Sequence, residues 1–264
     1  MRLNYIHVLV TPDIAGCHSL QTRPERAFRV VRCLHDDEVF RGSPSIADIR
    51  ALLWAKGPHS RSKGPFWYFQ QYLKIGAVAL GAGGLGERVR ISDGETITLR
   101  NPSSWFDAAR GVVYRDCGEK GDGHNGDRYG ALYYRATGST LFGSSSVVSH
   151  GQSVSRTFAR SLVDALSPET GNNVTNAWVL YSLGLLCDQA AITGFSEYWY
   201  LFSHAVERFP ANVTWAAGQA CHRIKKTGKL WLNMSKCSLA SYDNFTHVDY
   251  VILEDHKSRR ADRQ

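Results

Sequence analysis

The sequence predicts an α+β fold in one domain, and three observations carry that prediction. A chain of 264 residues with 43% apolar and 21% charged side chains can bury a sizeable core, which excludes a disordered polymer. Its first half carries short aromatic and β-branched runs punctuated by Gly, Asp and Pro, the pattern of strands and turns. From Ser153 onward the apolar residues recur about every four positions, which is the spacing of a helix face. The 24 glycines keep no fixed period, so collagen-like repeats are excluded as well.

Taken in order, residues 1–26 read as an amino-terminal arm. Its apolar stretch in MRLNYIHVLVTPDIAG is short and broken by His7, too little for a secretory signal. Beyond Ala27, FRVVRCLHDDEVFRG reads as a β-hairpin with an acidic turn at His35 to Asp37. Ser43, Pro44 and Ser45 then start a helix in which Ile46, Ile49, Leu52 and Leu53 share a face, and Gly57-Pro58 ends it. FWYFQQYLKIGAVAL reads as strand, and ERVRISDGETITLR as a hairpin with Asp93-Gly94 at its tip. SSWFDAARGVVYR and RYGALYYRATG read as two further strands joined by the long turn CGEKGDGHNGD. Three helices follow. The first carries Val154, Phe158, Leu162 and Leu166, the second runs through VTNAWVLYSLGLLCDQAAI, and the third is FSEYWYLFSHAVERF, ending at Pro210. LWLNM and HVDYVIL return to strand, and residues 254–264 form a charged tail.

Six cysteines with no CxxC pair and no dense spacing predict neither a zinc site nor a disulfide framework, and so a soluble chain made in a reducing cytosol. The longest apolar run, Ala177 to Cys187, is too short to span a bilayer, so no membrane partner is expected. Gly81, Gly83 and Gly86 have the spacing of a dinucleotide loop, but the strand-like segment that follows them, in place of a helix, argues against one. Asp116, Glu119, Asp122 and Asp127 match no calcium loop. His204 and Glu207, one helical turn apart, read as a surface pair. Cys17-His18 and Cys221-His222 offer a thiol beside an imidazole, yet neighbours on a strand face opposite ways. The serines of GSSSVVSHGQS lack a nucleophile elbow. No catalytic residue and no metal ligand is therefore assigned, and the chain is expected not to be an enzyme.

The charged and aromatic residues remain. The net charge is +7, and 22 of the 31 basic residues are arginine, which suits phosphate or many fixed protein contacts. Tyr114, Tyr129, Tyr133, Tyr134, Tyr198 and Tyr200 lie among Arg110, Arg115, Arg128 and Arg135 along the chain. Such interleaving serves base stacking with phosphate binding, or buried contacts between protein subunits. A basic nucleic-acid-binding protein is thus one reading, with affinity that falls steeply with salt.

A second reading comes from order. The succession FRVVRCLHDDEVFRG, SIADIRALLWA, RVRISDGETITL, SWFDAARGVVYR, GALYYRATG, a helix carrying CDQAA and the aromatic helix EYWYLFSHAV resembles the polyhedrin of cypoviruses. The resemblance covers about Ala27 to Val206, leaving out the arm, the tail and the stretch Gly81 to Gly86. It implies one domain over residues 1–264, a β-sandwich flanked by a cluster of helices, with no cofactor required and possible nucleotide binding. It further implies a trimer that packs into cytoplasmic crystals, occlusion bodies that embed virions and dissolve in the alkaline insect midgut. Within that expectation the six tyrosines are the alkaline-switch or contact residues, and the four arginines are the phosphate or contact residues. With reference pKa values of about 8.5 for Cys, 10 for Tyr and 10.4 for Lys, complete titration in strong alkali turns the net charge from +7 to about −20.

Overall fold

The computed structural model describes residues 7–10, 14–21, 31–42, 44–56, 65–92, 96–98, 106–107, 111–115, 123–142, 151–167, 176–187, 194–216, 221–225 and 250–254. The elements are β1 (His7–Val10), α1 (Ile14–Gln21), β2 (Val31–Leu34), α2 (Ile46–Lys56), α3 (Pro65–Leu80), β3 (Arg88–Ser92), β4 (Thr96–Thr98), β5 (Phe106–Asp107) and β6 (Gly111–Arg115). Next come α4 (Gly123–Thr137), β7 (Gly151–Ser155), α5 (Arg156–Ala165), α6 (Ala177–Cys187), α7 (Glu197–Arg208), β8 (Val213–Ala216), β9 (Cys221–Lys225) and β10 (Tyr250–Glu254). Helix and strand are mixed, as the sequence predicts, and helix is the larger share. The strands pair as four small sheets, ordered β1-β2, β4-β10-β9, β3-β7 and β5-β6-β8. Sheets of two or three strands do not display a sandwich among the described residues.

Helix α3 is the main departure from the sequence reading, which took this run as strand. Tyr68, Phe69, Tyr72, Ile75, Ala77, Val78 and Ala79 are all buried, so the run is apolar on nearly every face and has no amphipathic period to reveal it. Its 16 residues exceed an ordinary strand, and Pro65 occupies a starting position where its missing N–H costs nothing. Neighbours α2, α5 and α7 cover it. At its carboxyl end Gly81 turns with φ of +64°, and two arginines reach the exposed carbonyls. Arg156 Nη2 donates to Leu80 O at 3.4 Å, and Arg32 Nη1 donates to Gly83 O at 2.5 Å. Cations at that helix end satisfy orphan carbonyls and oppose the dipole, and this is what the glycine-rich stretch serves here.

RYGALYYRATG is likewise helix rather than strand. Tyr129, Leu132 and Tyr133 are buried while Tyr134 and Arg135 are exposed, the three-to-four spacing of one face of α4. The predicted turn CGEKGDGHNGD loses residues 123–127 to this helix, and residues 116–122 lie outside the described set. Among the described residues the first half is therefore more helix than strand.

Pairing also differs from the predicted hairpins. After β2 the chain makes a short 3-10 turn at Asp36–Glu38, and Val39 and Phe40 drop into the core without a second strand. β2 pairs in parallel with β1 instead. β3 pairs with β7 and β4 with β10, so RVRIS and TIT form strands without forming a hairpin with each other. β5 and β6 do pair antiparallel. Helices α2, α6 and α7 lie where breakers and period place them, and α5 begins at Arg156, after Ser153 and Val154 have joined β7. Ser155 caps α5, accepting from Phe158 N at 3.4 Å. LWLNM and residues 255–264 fall outside the described residues, and Glu254 ends β10.

One disulfide, Cys17–Cys33, ties α1 to β2 with Cα atoms 5.8 Å apart. Spacing alone shows no pairing motif for these residues; the fold brings them together by docking the arm beside β2.

Candidate functional site

The tyrosines singled out in the sequence gather inside the subunit. Tyr200, in the first turn of α7, donates to the carbonyls of Gly194 and, at 3.2 Å, Tyr129. Its ring lies 5.0 Å from that of Tyr133 on α4 and 4.8 Å from Phe195. Phe195 stacks at 4.4 Å on Tyr72 of α3, which in turn lies 5.6 Å from Trp178 of α6. Tyr68 stands one turn before Tyr72 and is fully buried. Four helices thus close around one aromatic cluster that carries several phenols. Tyr114 is buried separately on β6, edge-on to Phe202 at 4.8 Å.

Such phenols are held neutral. Burial pushes the hydroxyls of Tyr68, Tyr114, Tyr133 and Tyr200 well above the ordinary tyrosine value, because a phenolate there would lose its water. For Tyr200 the neighbouring phenols of Tyr72, Tyr133, Tyr129 and Tyr68 add to the rise, and for Tyr133 the Glu207 carboxylate does. Among the described residues the hydroxyls of Tyr68 and Tyr114 meet no hydrogen-bond partner, so an anion there would be unsupported.

Of the six expected switch or contact tyrosines, five are buried within the subunit and cannot be surface contacts. Tyr134, 58% exposed, is the one at the surface. Tyr198 lies under Lys74, whose Nζ sits 4.9 Å over its ring and donates to Glu197 at 2.7 Å. Arg135 is exposed near the end of α4, Arg115 and Arg128 fall in β6 and α4, and Arg110 lies outside the described residues.

The supposed surface pair separates. His204 is buried, with Nε2 at 2.9 Å from Ser161 Oγ, and burial lowers its pKa to about 4, with Arg208 adding to the drop. Glu207 is exposed and accepts from Ser139 Oγ at 2.6 Å. Sequence reasoning also left Tyr68 and Tyr72 out of its site; their spacing of four, one helical turn, was the available sign, although Gln70 and Gln71 interrupt the apolar run between them. No helix among the described residues is long and apolar enough to cross a membrane. Compared with protein-family models and with curated proteins, the chain matches neither.

Proposed function

We propose that this chain is a structural, self-assembling protein of the polyhedrin type, which packs as trimers into intracellular crystals around virions and releases them in alkali. In this reading the small sheets belong to a β-sandwich flanked by the helices. Arg110, Arg115, Arg128 and Arg135 serve lattice contacts or a bound nucleotide.

What supports the reading is the buried phenol set. A particle built to survive neutral surroundings and open in alkali needs groups that stay uncharged up to about pH 10 and then must ionise. Buried tyrosines meet that need, and arginine does not. Linkage gives the direction: a phenol whose folded pKa is raised supports the fold fully below the free value and withdraws that support as pH climbs. The switch therefore lies in the subunit interior, and the lattice loosens because its building block does.

Expression of this single chain in insect cells tests the proposal. Microscopy is expected to show intracellular crystals that persist in neutral buffer and dissolve near pH 11. A diffuse, soluble product would overturn it.

A further inference from the structure

We infer that Asn212 is the acceptor of an N-linked glycan, and that the chain matures in an oxidising compartment of the secretory route. The inference goes beyond the assembly reading and holds whether or not the copies crystallise. Two independent observations point to it, a bond between cysteines and a tripeptide. The bond is Cys17–Cys33, which joins α1 to β2. Cytosolic thiols are kept reduced, so a structural disulfide belongs to a chain folded in oxidising surroundings. Cys17 is 2% exposed, which suits a bond that stays made rather than one cycled by a reductant.

In eukaryotes the same surroundings carry the machinery of N-glycosylation, whose acceptor is Asn-x-Ser or Asn-x-Thr with x other than proline. The chain holds four such tripeptides, beginning at Asn173, Asn212, Asn233 and Asn244, and all but the one at Asn233 carry threonine. Nine asparagines with 37 serines and threonines among 264 residues give about one by composition, so coincidence accounts poorly for the set. Residues 173, 233 and 244 lie outside the described residues, and Asn212 lies within them.

Its place fits a glycan. Pro210–Asn212 forms a single 3-10 turn between α7 and β8, and Val213 leads out of it extended, with φ of −119°. Pro210, Ala211 and Asn212 are exposed, as are Glu207 and Arg208 just before them, so this corner faces solvent. The backbone is fixed from the inner side. Asn212 N–H donates to Phe209 O at 2.9 Å, and its carbonyl lies against Gly111, where a Cβ would stand 2.6 Å away. Glycan transfer precedes the completion of folding, so the fold need supply only room outside the acceptor, and the α7–β8 corner has it.

In the transfer, the amide nitrogen of Asn212 attacks the anomeric carbon of an oligosaccharide linked to a lipid pyrophosphate. A C–N bond forms, the bond from that carbon to the pyrophosphate oxygen breaks, the lipid pyrophosphate leaves, and the amide proton passes to a base of the transferase. Thr214 supplies the hydroxyl by which the transferase recognises the tripeptide. A bulky sugar there also bars this corner from close contact between copies.

The test uses the full chain made in insect cells, with and without tunicamycin, which stops synthesis of the lipid-linked donor. Trypsin cuts after Arg208 and Arg223, so Asn212 lies in a peptide with no other acceptor. Treatment with peptide-N-glycosidase A in heavy-oxygen water is expected to leave a labelled aspartate at 212 in that peptide. The label is expected to vanish with tunicamycin, in Asn212→Gln and in Thr214→Ala, and to persist in Thr214→Ser. Alkylation before reduction is expected to spare Cys17 and Cys33. An unlabelled peptide 209–223, whatever the other three acceptors carry, would overturn the assignment of Asn212, and free reaction of both cysteines would overturn the compartment. Microscopy of the same cells reads crystal formation separately, so failure of one idea is not mistaken for failure of the other.

Discussion

His204 lies fully inside the molecule beside a serine hydroxyl, and its protonation state is set by where it sits. A histidine whose folded pKa is about 4 against an ordinary 6.5 contributes stability that is present above pH 6.5. That contribution is lost as pH falls toward 4, because the unfolded chain takes up a proton that the folded chain refuses. The loss at low pH amounts to about 3 kcal/mol, a sizeable part of a typical folding free energy. Urea unfolding at pH 7 and pH 4.5 is expected to show that drop, and His204→Gln is expected to flatten it while costing some stability at neutral pH. An unchanged slope in the variant would mean that another group carries the acid limb. The Lys74–Glu197 pair is different in kind: both members are largely buried and matched at 2.7 Å, so removing one leaves an unpaired charge rather than a titration.

Among the elements, α3 decides how the helices meet. At Gly76 a Cβ would stand 2.8 Å from the ring of Phe40, so the helix approaches that ring through the missing side chain. Gly76→Ala gains helix propensity, worth about 1 kcal/mol, but must displace a packed ring, and a net loss of about 1 kcal/mol is expected. Gly76→Val should cost roughly 2–3 kcal/mol, whereas Gly86→Ala, with open space around its Cβ, should be neutral. Thermal melts of the three variants check the order. The same helix shows where sequence ceases to inform. Breakers with a one-sided apolar stripe made α2 and α5 legible, breakers alone marked out α7, and Gly111 with Tyr114 marked a true strand. α3 gave no clean stripe because its aromatic and aliphatic residues spread around most of the helix, and α4 mixes glycine with aromatics of high strand propensity. Strand partners were hidden for another reason: β3 with β7 and β4 with β10 are separated by long stretches of chain, and no local turn fixes them. The tyrosines could be listed from sequence, but their burial depends on those long-range contacts.

For the whole molecule, alkali acts on the interior before any surface is considered. At pH 11 each tyrosine that stays neutral when folded but has a free pKa of about 10 forfeits roughly 1.4 kcal/mol of stability. Tyr68, Tyr114, Tyr133 and Tyr200 together forfeit about 6 kcal/mol, comparable with the entire stability of many domains. The isolated chain is therefore expected to unfold cooperatively near pH 11 at low urea. Tyr133→Phe removes one buried ionisable phenol and should move that midpoint upward. Tyr134→Phe, at the surface, should leave it in place. Circular dichroism across pH 9–12 follows both, and an alkaline midpoint unchanged in Tyr133→Phe would exclude that phenol. The Cys17–Cys33 bond bears on a different event, the exchange of segments between copies. It pins α1 to β2, so α1 cannot part from β2 to join a neighbour unless a reductant first cuts the bond, whereas β1, which precedes Cys17, is held beside β2 by its own pairing.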